Sequence, residues 1–391
     1  MNAHHQSLLI STLWPLGRGN VAYGANVGSN HTCRLPDQEC TVGEGIFWGL
    51  GCVIQFPIDL TFSPYSVIAS GVKLPPQRIS MPFSLIMESS EGGNEIVPGW
   101  VYWSSAYTIY RSEEKFRKRR KAWRHGHYTG WDIISPYIVK TCIECRNDLI
   151  HIDPNVDTDI NNLKDSQKFL ASQMNTFYNA KDMKALGRNK LTERGRKVGI
   201  LAYTDLIQRY VLNKLFQKVK DILSGETNID IIKRLQLDGL NIRVIPVQKP
   251  ELNSSRETHW PRFPWEESDD WEFILSVLQS ELPLLFASKL INKQAVKYHQ
   301  LSVSDLIFLF DRLIQLEKGY SDRIYKSKAR DDERGKDIIP GYKEAHNSAE
   351  SDSVVKSSHL NVSRLKESVY QVTKSLEGTL RSREVAPNSN L

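Results

Sequence analysis

A short apolar residue recurs at every sixth position through residues 19–83. Val21 and Val27 are six apart; Val42, Trp48, Ile54, Leu60 and Val72 lie on a second six-residue grid, with Ser66 as its polar member. Ile46, Cys52 and Ile58 repeat at the same interval, and Gly, Ala and Ser crowd the positions between. A helix repeats at 3.6 residues and a half-buried strand at 2, so neither produces this spacing. The pattern predicts a parallel β-helix of hexapeptide repeats, in which each coil lays one short strand per hexapeptide on each face. An apolar residue then fills the inside, and small residues serve the sharp corners. The two grids are out of phase by half a repeat, which places an inserted loop at roughly residues 30–41.

Beyond the repeats the periodicity changes. The stretch SSEGGNE (89–95) is a turn-rich break. From about 99 to 122, Tyr102, Ala106, Ile109, Tyr110 and Phe116 recur on one side of a predicted helix. Residues 127–155 are less regular and hold Cys142 and Cys145. Residues 157–224 read as helical, with Gly187 and Gly195 marking a break and Gly225 placed as a C-cap. NIRVIPVQ (241–248) reads as a strand, a Pro/Trp-rich loop follows, and SDDWEFILSVLQSELPLLF and VSDLIFLFDRLIQLEKGY read as helices. In the polar tail, HLNVSRLKESVYQVTKSLEGTL repeats apolar residues at three and four, as a surface or coiled-coil helix does, and the last ten residues read as disordered. The expected fold class is mixed β and α: partial β-helix coils over 1–88, an aromatic and basic helix with its connection over 89–155, an α-helical domain over 156–328, and a tail with one amphipathic helix over 329–391.

The chain carries a net charge of +6 and is 40% hydrophobic, which suits real cores and anionic ligands. Five cysteines, an odd count with Cys52 on the apolar grid, argue for reduced thiols and a cytoplasmic setting. The sequence shows neither a secretory signal pattern nor an apolar run long enough to span a membrane. Cys142 and Cys145 form one CxxC without a second pair, with only His151 nearby, so no metal and no resident cofactor are expected. The chain is strand-like from residue 8 with no capping element before it, which reads as a start in mid-solenoid and as the carboxy-terminal portion of a longer protein.

The segments SLLISTLWPLGRGNVAYGANVGSNHT, PDQE, GEGIFWGLG, SPYSVIASGV, LPPQRISMPFSLI and GNEIVPGW resemble an uncharacterised bacterial family of large hexapeptide-repeat proteins, a domain of unknown function in the left-handed β-helix superfamily. The resemblance covers roughly residues 7–125. It implies a left-handed coil, a homotrimer with sites between subunits, and a place beside acyltransferases that act on sugars, amino acids and nucleotide sugars. In those enzymes a histidine projecting from a coil is the general base, and a group that titrates near neutrality suits that task. His31 is the candidate base here. Asn30 is placed to hold an oxyanion or orient the acceptor. Arg18 and Arg34 are candidates to meet a phosphate, and Asp37 and Glu39 to orient the imidazole or bind substrate. The first expectation is acyl transfer from a thioester co-substrate to a sugar or nucleotide-sugar acceptor. The alternative is a non-catalytic scaffold or a ligand-sensing and assembly protein, including one accessory to a sugar nucleotidyltransferase module. Asn30 and His31 also suit a plain coil corner.

Residues 115–124 hold seven basic side chains. Arg119, Arg120 and Arg124 are the candidate anion-binding residues there. A solvated helix end accounts for the same run, since cations are favoured at helix carboxy termini, and nucleic acid is not the expected partner.

Overall fold

The computed structural model describes residues 19–28, 34–35, 37, 39–119, 133–152, 177–225, 271–286, 301–346 and 348–384, with strand residues 2–3, 8–9 and 12–13. It divides between residues 206 and 207 into two compact units.

The first unit holds the short strands. One sheet joins Asn2–Ala3, Gly19–Val21, Ile46–Trp48, Val67–Ile68 and Leu85–Glu88 in parallel, and adds Asn94–Val97 antiparallel. A second joins Leu8–Leu9, Asn26–Gly28, Val53–Gln55 and Lys73–Leu74. A third joins Thr12–Leu13, Cys40–Val42, Ile58–Leu60 and Gln77–Arg78. Successive strands go to these sheets in rotation. A two-stranded hairpin, Phe177–Tyr178 with Leu191–Thr192, completes the set.

The expectation of a partial left-handed β-helix is corrected. The fold is mixed α/β with short parallel strands in several small sheets, and helices hold 59% of the described residues. A period of six reports how soon the chain leaves one sheet for the next. It says nothing of the larger part of the chain, which follows the helical period.

The grid does mark the core. Val21, Val27, Val42, Trp48 and Leu60 are fully buried, as are Ile46 and Cys52. Ser66 is buried too, and its polarity is satisfied: Oγ donates to the Met81 carbonyl (3.0 Å) and accepts the Ser84 N–H (2.9 Å). Ser63 repeats the device, donating to Ile79 O and accepting from Met81 N–H.

The single helix expected over 99–122 is two, α1 (Trp100–Ser104) and α2 (Ala106–Arg119), broken at Ser105. The irregular stretch expected around Cys142 is helix α3 (Pro136–His151), started by Ser135, whose hydroxyl accepts the Ile138 N–H, and by Pro136 in the first turn. Helix α4 (Glu193–Gly225) begins where Thr192 accepts the Gly195 N–H. Gly195 therefore lies inside its first turn and does not break it.

In the second unit, α5 (Trp271–Phe286), α6 (Val303–Ile338), α7 (Tyr342–Ala345) and α8 (Ser353–Glu384) join the later part of α4. Phe310 meets Phe216 edge-on (5.2 Å) and Phe308 stacks on Phe286 (5.2 Å). Glu317 accepts from Arg209 Nε (2.9 Å) and Asn213 Nδ2 (2.7 Å). Helix α6 opens with a capping box between Ser302 and Asp305. Helices α6 and α8 form an antiparallel hairpin, tied by Ser321 to Ser358 (2.8 Å), and Tyr325 of α6 donates to Glu350 in the turn that precedes α8 (2.5 Å). The expected strand at 241–248, the loop tryptophans Trp260 and Trp265, and the chain end from 385 onward lie outside the described residues.

Candidate ligand-binding face

Three strands of the third sheet, Cys40–Val42, Ile58–Leu60 and Gln77–Arg78, each turn one side chain outward. In Ile58–Leu60 the flanking residues are buried, and Asp59 between them faces out; Thr41 does the same between Cys40 and Val42. The parallel register sets Thr41, Asp59 and Arg78 in one row. Asp59 Oδ1 accepts the Thr61 N–H (3.0 Å), and Oδ2 accepts Arg78 Nε at 2.7 Å. The Arg78 side chain is 57% exposed and that of Asp59 25%, so solvent screens the pair and its worth is orientation more than stability.

The segment 184–189 runs against this edge. Ser80 N–H donates to Ala185 O (3.0 Å). Gln77 Oε1 accepts both the Arg188 N–H (2.8 Å) and Asn189 Nδ2 (3.0 Å), while Gln77 Nε2 donates to Pro75 O (3.1 Å).

Of the residues singled out in the sequence, Arg34, Asp37 and Glu39 are described. Arg34 and Glu39 are exposed and Asp37 is half-buried. They lead directly into Cys40–Val42, and the Glu39 carbonyl accepts the Ile58 N–H (3.0 Å), which brings that backbone beside the Asp59 strand. Asn30, His31 and Arg18 lie outside the described residues, as do Arg120 and Arg124. Arg119 is the last residue of α2.

Sequence reasoning missed Asp59, Arg78 and Arg188. The signal for the first lay in the grid, where an aspartate between two buried positions must point outward. Its partner is 19 residues on, at the neighbouring strand of the same sheet.

Two of the described thiols, Cys52 and Cys142, are held protonated at neutral pH. Burial pushes Cys52 up to about 11. It pushes Cys142 higher still, with nearby Arg146 offsetting only part. Cys145 is buried and its thiol donates to Ser80 O at 2.8 Å. A reactive thiol needs the opposite setting, exposed and electropositive. Among the described residues no His, Cys, Asp and Glu side chains gather into a metal-binding group.

These features define a mixed α/β protein with a polar, charged sheet edge. No family model matches the chain. It is 34% identical over 120 residues to a protein of Treponema pallidum (strain Nichols) described as "Uncharacterized protein". The match takes in 30% of this chain and spans only 16% of that relative's length. No solved structure matches. Among the described residues, no helix is long and apolar enough to cross a membrane.

Proposed function

We propose that the protein is a non-catalytic assembly protein of the cytoplasm, in which the strand unit is a rigid platform and the α6/α8 hairpin is the arm that engages a protein partner. The hairpin carries this reading. Its helices run 36 and 32 residues. In α8 the seam positions Val355, Ser358, Val362, Leu365, Val369, Val372 and Leu376 alternate at three and four, the spacing of a coiled-coil seam. On α6, Leu306, Leu309, Leu313, Leu316, Tyr320 and Ile324 are buried, and Ser321 meets Ser358 across the pair. Leu360 and Tyr370 lie outside the seam and stay half or more exposed, at 50% and 60%. They are the large apolar side chains that α8 leaves exposed, and a partner engaging the hairpin would cover them. The four described cysteines are free thiols, which supports a reducing compartment.

Two measurements on the full chain test the proposal. The first is thiol release from an acyl thioester in the presence of nucleotide sugars, with wild type against His31→Ala. The expected result is no difference between the two; release by the wild type that His31→Ala abolishes would overturn the assembly reading in favour of acyl transfer. The second is the native mass in cell extract. It should exceed that of one chain and fall in the double variant Leu360→Arg, Tyr370→Glu; a wild type running as a single chain also overturns the proposal.

A further inference from the structure

We infer that Arg78 and Arg188 form a clamp for the phosphate group of a small ligand at the edge of the third sheet. Arg78 commits only Nε to Asp59 (2.7 Å), and its side chain is 57% exposed. The bond to Asp59 fixes the guanidinium plane and leaves both terminal nitrogens to donate outward, the fork that suits bidentate recognition of phosphate.

Arg188 is brought alongside by its own backbone. Its N–H is held by Gln77 Oε1, next in sequence to Arg78, and the same oxygen takes Asn189 Nδ2. The preceding residue makes the approach feasible. Gly187 has φ +61, and a Cβ there would sit 2.5 Å from Gln77 Oε1 and 2.6 Å from the Arg78 carbonyl oxygen. Only glycine lets the two segments come this close. Arg188 itself is exposed.

The local charge agrees. Residues 181–190 carry Lys181, Lys184, Arg188 and Lys190 against Asp182 alone. The Asp182 carboxylate is turned to the Asn179 N–H (2.7 Å). Lys190 is directed away, to the Glu91 carbonyl. Lys181, Lys184 and Arg188 stay exposed on this short segment, a cluster and not a row, with Asp59 bonded to Arg78 on the adjoining strand. A compact anion matches a point of charge; the extended backbone of a nucleic acid needs a stripe. The clamp is independent of the hairpin, so its failure would leave the assembly reading standing.

The probe is inorganic pyrophosphate, titrated calorimetrically at low salt into the full chain. Wild type should bind in the millimolar range or tighter. Arg78→Gln and Arg188→Gln should each weaken binding about tenfold, since each removes a charge-assisted contact. Arg78→Lys, which keeps the charge and loses the fork, should fall between. Circular dichroism shows whether each variant is folded, and Lys318→Gln, a charge change on α6, should bind as wild type does. Undetectable binding by the wild type at millimolar pyrophosphate overturns the clamp. So does a double arginine variant that binds as well as wild type, or an equal loss in Lys318→Gln. A short RNA that displaces pyrophosphate at far lower concentration would overturn it in favour of a polymer site.

Discussion

Replacing Arg196 by methionine should destabilise the first unit by about 3–5 kcal/mol, the cost of leaving a buried charge without its partner. Arg196 is fully buried and Glu193 is 2% exposed. Arg196 Nε and Nη2 donate to the two Glu193 oxygens at 2.6 and 2.8 Å, and Nη1 donates to the Leu149 carbonyl at 2.8 Å. The Tyr178 hydroxyl donates to Glu193 Oε2 (2.9 Å), and Lys197 stands 3.7 Å from Oε1. One ion pair thus joins the start of α4, the end of α3 and the Phe177–Tyr178 strand. Burial by itself would raise the Glu193 carboxyl; Arg196, with Tyr178 and Lys197, outweighs it and holds the group below the ordinary carboxylate range.

The sign of the pH effect follows. A carboxyl depressed in the folded state contributes stability above its unfolded pKa, about 4.3, and that contribution is lost as pH falls through the folded value. In Arg196→Met the balance tips toward burial, so protonation relieves the variant where it harms the wild type. The gap between the two should be widest at pH 7 and narrow by pH 4 in urea titrations. An equal gap at both values would show that lost packing, not the charge, sets the cost. The double variant Glu193→Met, Arg196→Met should recover only part of the loss: it removes the buried pair together, but buried Lys197 then loses Glu193 as its ion-pair partner.

This ion pair is invisible in the sequence, although Glu193 and Arg196 stand at helical spacing. Any exposed helix offers such pairs, and only the packing of α3 and the hairpin strands against them makes this one matter. The apolar grid is more legible: its members fill the core of the first unit, and even its polar member, Ser66, is buried and bonded inside. What the grid does not convey is fold class. Periodicity reports local crossings between sheets, while the class depends on how much of the chain follows another rule, and helices dominate the described residues. Helix α3 does carry a strong start signal in Ser135-Pro136, but its two cysteines at CxxC spacing invite a metal reading that hides the helical period around them. The three-and-four spacing of α8 is legible as a coiled-coil pattern, because a strand or a loop does not produce it. The charged edge cannot be assembled in advance. Asp59 and Arg78 meet only through strand register, and Arg188, more than a hundred residues further on, arrives by a side-chain bond to Gln77.

Alanine at Gly49 should cost roughly 3 kcal/mol, the upper end of the usual overpacking range. A Cβ there would lie 2.4 Å from the Ile68 carbonyl oxygen and 2.6 Å from the Ala69 carbonyl carbon. Both are backbone atoms with little freedom to retreat. Ile68 pairs with Trp48 on one side and with Ile86 on the other, and the Ala69 N–H donates to Ile86 O at 2.8 Å. Relief of the clash would part the first sheet between Ile46–Trp48 and Val67–Ile68, where Trp48 is wholly buried. Two other glycines separate this effect from the general behaviour of the residue. Gly51 has φ +61 and open space around a Cβ, so alanine there carries only the left-handed backbone penalty of about 1–2 kcal/mol. Gly378 lies exposed within α8 with nothing near its Cβ position, and alanine there should stabilise the helix by about 1 kcal/mol. Hydrogen exchange at the Phe47 and Ala69 amides reads the first two variants directly, and thermal unfolding of α8 reads the third. If Gly49→Ala exchanges no faster than Gly51→Ala, the close approach of the two strands is not what holds this sheet together.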